Sequence, residues 1–288
     1  MRINPKPCSG RSHMRRKNTG KKGNRSMNIL VCVKHVPKEE DLKLDRETKT
    51  LIRTNGTGEI NSLDRYALEL ALRLKEQLGG TITAISMGPP NSMASLRYAL
   101  SVGADDAILL SDRALGGADA YATAFTLAAA VRKLEAEKGN FDLVLCGKNS
   151  SDGDTFLVTP ALAEDLGRPH TTGVVDFRLE EKCLWVRREL DSGFEELELD
   201  FPAVLSVSKA VFPFRFPNVR LRLAANRREI PVFTAADLAV DPACVGTRGS
   251  LTSVGSSYVP EHDSNCVKFG GAPEEAVKEL FAAVGSMI

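Results

Sequence analysis

The chain has 288 residues, 43% of them hydrophobic and 26% charged, the ordinary balance of a soluble globular protein. Its 38 Lys and Arg against 37 Asp and Glu leave a formal net charge of +1. No apolar run approaches the about 20 residues that cross a bilayer, so no membrane span is expected. Six cysteines (8, 32, 146, 183, 244 and 266) stand without a C-x-x-C pair, and the four histidines are far apart. That pattern excludes a disulfide framework and a zinc site, and fits reduced cysteines in a cytosolic protein.

Residues 1–26 differ from the rest. They hold nine Lys or Arg and no acid, so the remaining chain carries a net charge of −8. Such an arm could bind nucleic acid or act as an import signal. It lacks the leucine-bearing pattern of a transit peptide and the apolar region of a secretion signal. A disordered tail or an over-extended start is expected, with Met27 the natural beginning.

From Met27 the chain alternates strand and helix. Ile29–Val33 reads as a strand buried on both faces. A polar connection over 34–60 follows, with a hairpin-like excursion around Leu51 and Ile52. Asn61 or Ser62 then caps a helix in which Leu63, Ala67, Leu70, Ala71, Leu74 and Leu78 share one face, ended by Gly79-Gly80. Strands are predicted over Thr81–Met87, Ala107–Leu110 and Leu143–Cys146, with helices over Ser92–Val102, Ala120–Lys138 and Val158–Leu166. This order predicts a parallel sheet with helices on both faces and right-handed crossovers. Ligands of such sheets sit outside the carboxyl ends of the strands. The loops there are Lys34–Pro37, Gly88–Asn91 and Gly147–Thr155.

The last of these loops organises the chain. Leu143–Cys146 runs into Gly147, Asn149, Ser150, Ser151, Asp152, Gly153 and Asp154, with Thr155 near the expected helix cap. A strand, a small-residue turn and a helix start make a phosphate site, because outward amides and the helix dipole favour negative charge. An ordinary strand-to-helix loop has the same pattern. No G-x-G-x-x-G and no G-x-x-x-x-G-K-[ST] occurs anywhere.

The second half changes character. Val174–Leu179, Leu184–Arg188 and Glu195–Leu199 read as a small antiparallel excursion, and Ala203–Val207 rejoins the main sheet. Phe212-Pro213-Phe214-Arg215-Phe216-Pro217-Asn218 interleaves aromatics with prolines, which exclude helix and central strand. Such a loop either packs on its own domain or docks a partner. Residues 229–271 carry few periodic segments and many Pro, Gly and Ser, and a last helix is predicted near Pro273–Val284. An extended arm of this kind suggests a partner subunit. The expected division is therefore a tail (1–26), a nucleotide-binding α/β domain (27–228) and an arm (229–288).

Five segments resemble the beta subunit of electron transfer flavoprotein. They are Val31-Cys32-Val33-Lys34-His35-Val36-Pro37, Asn61-Ser62-Leu63-Asp64 with Ala67-Leu68-Glu69, and Ser86-Met87-Gly88-Pro89. Cys146-Gly147-Lys148 through Asp152-Gly153-Asp154-Thr155 and Arg188-Glu189-Leu190-Asp191-Ser192-Gly193 complete the set. The resemblance implies a fold like the adenine-nucleotide alpha hydrolases and a heterodimer with an alpha subunit that carries the electron-transferring FAD. It implies an adenine nucleotide in the beta cleft. That nucleotide is AMP in the simple electron carrier, and a second FAD in the bifurcating form that takes hydride from NADH.

The same resemblance places Cys32, Asn61, Met87, Gly88, Asp152, Gly153, Asp154, Thr155, Phe156, Leu157 and Val158 along the nucleotide cleft. It aligns Glu189 with a glutamate facing the alpha subunit, although a solvated strand charge would look the same. It aligns Phe216 and Pro217 with the loop that recognises a dehydrogenase, with Phe216 as the apolar anchor. Asp-Gly-Asp-Thr resembles the FAD-holding form, whose sequence continues Ala-Gln-Val-Gly-Pro. This chain has Phe156-Leu157-Val158-Thr159-Pro160 instead, and Lys209-Ala210-Val211-Phe212 where the family has Asn-Glu-Pro-Arg. The expected role is an electron-transfer subunit with no catalytic side chains and no metal. Its partners are an alpha subunit and an acyl-CoA dehydrogenase or related flavin dehydrogenase, with no nucleic acid. The cytoplasm is expected rather than the mitochondrial matrix. A simple carrier with structural AMP is the alternative, and a stand-alone nucleotide-binding or nucleotide-hydrolysing protein is a third reading.

Overall fold

The computed structural model describes residues 26–38, 42–44, 51–53, 58–180, 183–253, 255 and 266–285. Of the expected tail, residues 1–25 lie outside these. The chain divides into two units, Met1–Leu42 with Arg53–Ser253, and Lys43–Ile52 with Val254–Ile288.

In chain order the first half holds β1 (Met27–Cys32), β2 (His35–Val36), β3 (Leu42–Leu44), β4 (Leu51–Arg53), β5 (Glu59–Ile60) and α1 (Ser62–Leu78). Then come β6 (Gly80–Met87), α2 (Met93–Val102), β7 (Asp106–Leu110), α3 (Ala120–Lys138), β8 (Leu143–Gly147) and α4 (Val158–Leu166). The second half holds β9 (His170–Leu179), β10 (Cys183–Leu190), β11 (Gly193–Asp200), β12 (Ala203–Val207), α5 (Val219–Arg227), β13 (Val232–Phe233), α6 (Gly246–Gly249) and α7 (Pro273–Val284).

Nine strands form one sheet in the order β11-β10-β9-β12-β8-β1-β6-β7-β13. From β12 through β13 all pairings are parallel, and β12 also pairs parallel to β9. The β9-β10-β11 meander is antiparallel, as expected, and continues the main sheet instead of standing apart. The hairpin-like excursion is a two-stranded sheet of β3 and β4.

Both faces of the sheet are covered because the central strands are apolar on both sides. Ile29, Val31 and Val33 belong to one core with Ala67, Leu70 and Leu74 of α1 and Leu96 and Ala99 of α2. Leu30 and Cys32 point the other way, into a core with Leu127 and Val131 of α3 and Leu162 of α4. A strand with period two buried on both faces reads as a continuous apolar run, which is what the sequence shows.

The sheet order fixes where a ligand can enter. From β1 the chain moves outward through β6 to β7, then returns through β8 to the opposite side of β1. The connections leaving β1 and β8 therefore part in opposite directions, and a crevice opens between their carboxyl ends.

Three expectations differ from the structure. Thr155 does not cap α4, which starts at Val158 with Leu157 in the cap position and no side-chain cap bond. The reason is local: Asp154 (φ 46) and Phe156 (φ 59) are left-handed, so the backbone enters the helix later. The stretch 229–253, expected as the start of an arm, contributes β13 beside β7 and buries Ile230, Ala235, Leu238 and Val245. Helix α5 was not expected at all.

The second unit contains α7. Val277, Leu280 and Phe281 are exposed at helical spacing, and α7 buries no residue.

Candidate functional site

The crevice between β1 and β8 is built around one buried carboxylate. Asp64, in the first turn of α1, is 4% exposed. Its Oδ2 accepts from the amide of Lys34 at 2.6 Å, just past the end of β1. Its Oδ1 accepts from the amide of Gly147, the last residue of β8, at 3.0 Å, and from Asn61 Nδ2 at 3.0 Å. Burial pushes the Asp64 carboxyl up to about 7, against the opposing effect of those hydrogen bonds and the Lys34 charge.

Asn61 extends the network into the loop after β8. Its Nδ2 also donates to the Asn149 carbonyl at 2.8 Å, and its Oδ1 accepts from the Ser151 amide at 3.4 Å. Its amide donates to the Lys34 carbonyl at 2.9 Å. Asn61 is 2% exposed, so it acts by holding the cleft wall in place. The side chain of Lys34 reaches the same loop, donating to Ser150 Oγ at 3.1 Å and Asp152 Oδ1 at 2.7 Å. Burial alone would raise Asp152, but Lys34 holds its carboxyl below the usual range.

The loop itself is open. Residues 151–157 are all exposed, and α4 begins behind them with no side-chain cap. The first amides of a helix have no partner within it, so an uncapped start facing an exposed loop has donors to offer a ligand. Two of the chain's described left-handed non-glycine residues, Asp154 and Phe156, lie here, and the Asp154 carboxylate accepts from Asn149 Nδ2. Strained backbone of this kind concentrates at ligand sites. A side chain at Gly153 would meet Ser150 Oγ at 3.3 Å and approach Lys34 Nζ at 3.8 Å, so glycine keeps the loop backbone accessible. On the α1 side a cavity of about 490 Å³ is bounded by Val36, Pro37, Ile60, Ser62 and Ser151, among others. The residues present fit an adenine nucleotide in three respects. There is a positive side chain, an uncapped helix start, and glycine where the backbone must be approached.

The other expected residues lie at neighbouring strand ends and loops, with Cys32 inside the core. Cys32 is buried beside Cys146, whose hydrogen bond, together with burial, raises its thiol well above the ordinary value. Met87 is half-buried at the end of β6, and the Gly88 amide donates to the Leu110 carbonyl at 3.0 Å. Glu189 is a partly exposed strand charge paired within the chain. Lys148 Nζ lies 2.7 Å from its Oε1 and Ser208 Oγ donates to the same oxygen at 2.6 Å, which lowers its pKa. Lys148 also lies 5.5 Å from the Phe156 ring centre, so Glu189 and the open loop share one neighbour.

The aromatic segment divides its roles. Phe212 is buried against Phe177 and beneath Arg73, and Phe214 packs edge-on to Tyr66. Phe216 is 77% exposed. Self-packing thus accounts for two of the rings, and the third, edge-on to Phe214 at 5.7 Å, stays largely exposed.

The Asn61–Asp64 segment carries part of the resemblance, but residue type alone gives Asp64 no special mark. An acid in the first helical turn reads as a dipole partner at the surface. The Asn-x-x-Asp spacing, which mirrors a capping box, was the available signal. Gly147 is likewise unmarked by residue type. A Cβ there would lie 2.2 Å from Asp64 Oδ1 and 3.0 Å from the Asp64 amide nitrogen. Gly147→Ala is therefore expected to destabilise the chain by about 1–3 kcal/mol through overpacking, read from urea unfolding midpoints.

With this geometry in hand, similarity to known proteins becomes informative. An electron transfer flavoprotein domain model matches residues 48–238. The chain belongs to the electron transfer flavoprotein family. Its similarity runs to the beta subunit. It is 41% identical over 261 residues to electron transfer flavoprotein subunit beta of Thermoanaerobacterium thermosaccharolyticum, covering 90% of this chain and 98% of that one. It is 43% identical over 241 residues to the subunit beta of Megasphaera elsdenii, covering 83% and 89%. Subunit CarD of the caffeyl-CoA reductase-Etf complex of Acetobacterium woodii is 38% identical over 235 residues, covering 81% and 88%. The chain's α/β sheet is consistent with that family. None of its described helices is long and apolar enough to cross a membrane.

Proposed function

We propose that this chain is the beta subunit of an electron transfer flavoprotein whose β1/β8 crevice holds FAD. The observation that carries this reading is the exposed loop 151–157 ahead of the uncapped start of α4, at the point where the sheet order reverses. Gly153 supports FAD over AMP, because a pyrophosphate longer than a single phosphate needs backbone approach along the loop. Lys34 and the first α4 amides would bind its phosphates, and Asn61 and Asp64 would keep the loop in place. When bound, the flavin supplies hydride acceptance and one-electron transfer; the chain supplies position and electrostatics.

The electrons pass between NADH or a flavin dehydrogenase and the FAD of an alpha subunit, with bifurcation as the form this loop resembles. The caffeyl-CoA reductase complex of one relative supports a dehydrogenase acting on an acyl-CoA. Phe216, exposed at the edge of an otherwise packed segment, is the anchor for that partner. The α7 face of Val277, Leu280 and Phe281 and the Glu189 edge meet the alpha subunit, and the complex works in the cytoplasm.

The test is the nucleotide content of this chain co-expressed with its alpha subunit. Flavin in excess of that carried by the alpha subunit, without AMP, is the expected result. AMP in place of the extra flavin would overturn the FAD assignment and leave a simple electron carrier. Neither AMP nor extra flavin would overturn the reading of the crevice.

A further inference from the structure

Both oxygens of Asp64 are spent on donors from three different segments: the Lys34 amide past β1, the Gly147 amide at the end of β8, and the Asn61 side chain at the start of α1. The two amides flank the crevice where the sheet order reverses. Asn61 then carries the hold onward to Asn149 and Ser151 in the open loop. Every contact made by this carboxylate is an acceptor contact, and the ionised form serves all three donors best. A proton on Oδ1 displaces one of its two donors, and a proton on Oδ2 weakens the acceptor facing the Lys34 amide.

We propose that Asp64 is the positioning residue of the crevice, its carboxylate setting the separation of the β1 and β8 ends and thereby the retention of the adenine nucleotide. The inference rests on the nucleotide reading given above. The groups facing Asp64 are few. Lys34 favours its charge, Asn61 and the two amides donate to it, and Cys32 is neutral at the pH values concerned. Asp152 meets it only through Lys34. Burial lifts the carboxyl to about 7, so its charge state changes within the working range of pH.

The geometry singles out Asp64→Asn as the test. The amide has the same shape but one acceptor and one donor end, so at every pH its NH2 faces at least one of the donors that the carboxylate accepts from. Full-length wild-type and D64N chains, co-purified with the alpha subunit and stripped of nucleotide, are titrated with FAD and separately with AMP from about pH 5.5 to about pH 8.5. FAD is the cleaner probe because its pyrophosphate diester does not titrate there. The expected result is an affinity at least about tenfold lower for D64N at the alkaline end. The wild-type affinity should fall through about pH 7 to meet a flat D64N profile. A purely structural role would lower affinity without abolishing the pH profile.

Amide hydrogen exchange supplies the arm that needs no nucleotide. D64N should lose protection at Lys34 and Gly147 while the Val33 amide, bonded to the Ile85 carbonyl at 2.8 Å, keeps its own. Unchanged protection at both amides, or parallel pH profiles in the two chains, overturns the proposal. If the wild-type chain takes neither FAD nor AMP, the nucleotide reading falls, and with it the role in retention. Exchange at Lys34 and Gly147 then decides the clamp alone.

Discussion

Arg215→Ala is expected to cost about 1–3 kcal/mol of stability near neutral pH, because it takes two charge-assisted hydrogen bonds from a buried carboxylate that keeps only Arg73 and the residue 215 amide. Glu69 in α1 is 3% exposed and binds Arg215 at three points: the Arg215 amide at 3.1 Å, Nε at 2.8 Å and Nη2 at 3.1 Å. Arg73 adds a contact at 2.7 Å from one turn away. Burial alone would raise the Glu69 carboxyl, but the hydrogen bonds from Arg215 and Arg73 hold it below the usual range. Its contribution is therefore present above the unfolded value and lost as pH falls through the folded one. Without Arg215 the Glu69 pKa rises, so the deficit of the variant should be largest above about pH 6 and shrink on acidification. Urea titrations of both chains at several pH values read this directly. Arg215→Lys should recover only part of the loss, since a point charge cannot reproduce the planar fork. A deficit independent of pH would mean that packing, not the Glu69 charge, holds the segment. The contact also holds the backbone next to Phe216, so on the docking role proposed for Phe216 the variant should weaken that docking too.

How much of this was legible in the sequence depended on whether burial left a period. The central strands announced themselves because β1, β8 and β12 are apolar on both faces, and α1 because its apolar residues recur at helical spacing, while α3 was marked by the turn Gly116-Gly117-Ala118-Asp119 ahead of it. Helix α5 left no such trace. Of its nine residues only Ala225 is buried, and arginines alternate with leucines along it. It is held by contacts supplied from elsewhere: Asn218 caps it by accepting from the Arg220 amide at 2.8 Å, and Arg97 of α2 donates to the Ala225 carbonyl. The same holds for β13, two residues long, which exists because β7 offers an edge. Ile230, Ala235, Leu238 and Val245 reach the core from a stretch with no regular repeat, so composition read it as an arm. At the site, the open loop and its neighbours were legible as turn chemistry. Asp64 was not, because its burial exists only once α1 packs across the ends of β1 and β8.

Asp64 also carries the second large effect, of opposite sign to that of Glu69. Its carboxyl lies at about 7 in the folded chain, against an ordinary value of 3.8. Between these values the folded chain binds a proton that the unfolded chain does not, so protonation favours the fold. The contribution is fully present below about pH 4 and is lost as pH rises through about 7. At about 1.4 kcal/mol per pH unit, the loss is on the order of 4 kcal/mol. Asp64→Asn removes this titration while keeping every other titratable side chain in the sequence. The unfolding free energy of the wild-type chain minus that of D64N should therefore decline by that order between about pH 4 and about pH 8. The carboxylates with lowered values, such as Asp112 and Asp119, act in the reverse sense but equally in both chains, so they cancel in the difference. A difference that stays level with pH would place the Asp64 carboxyl in contact with water and remove the basis of the effect. The decline has a direct reading at the crevice. At neutral pH and above, the fold keeps an ionised carboxylate that lowers its stability, at the one position where two strand ends and the start of a helix must be held together. On the proposed role of the crevice, stability is given up there for a fixed opening, an exchange of stability for binding.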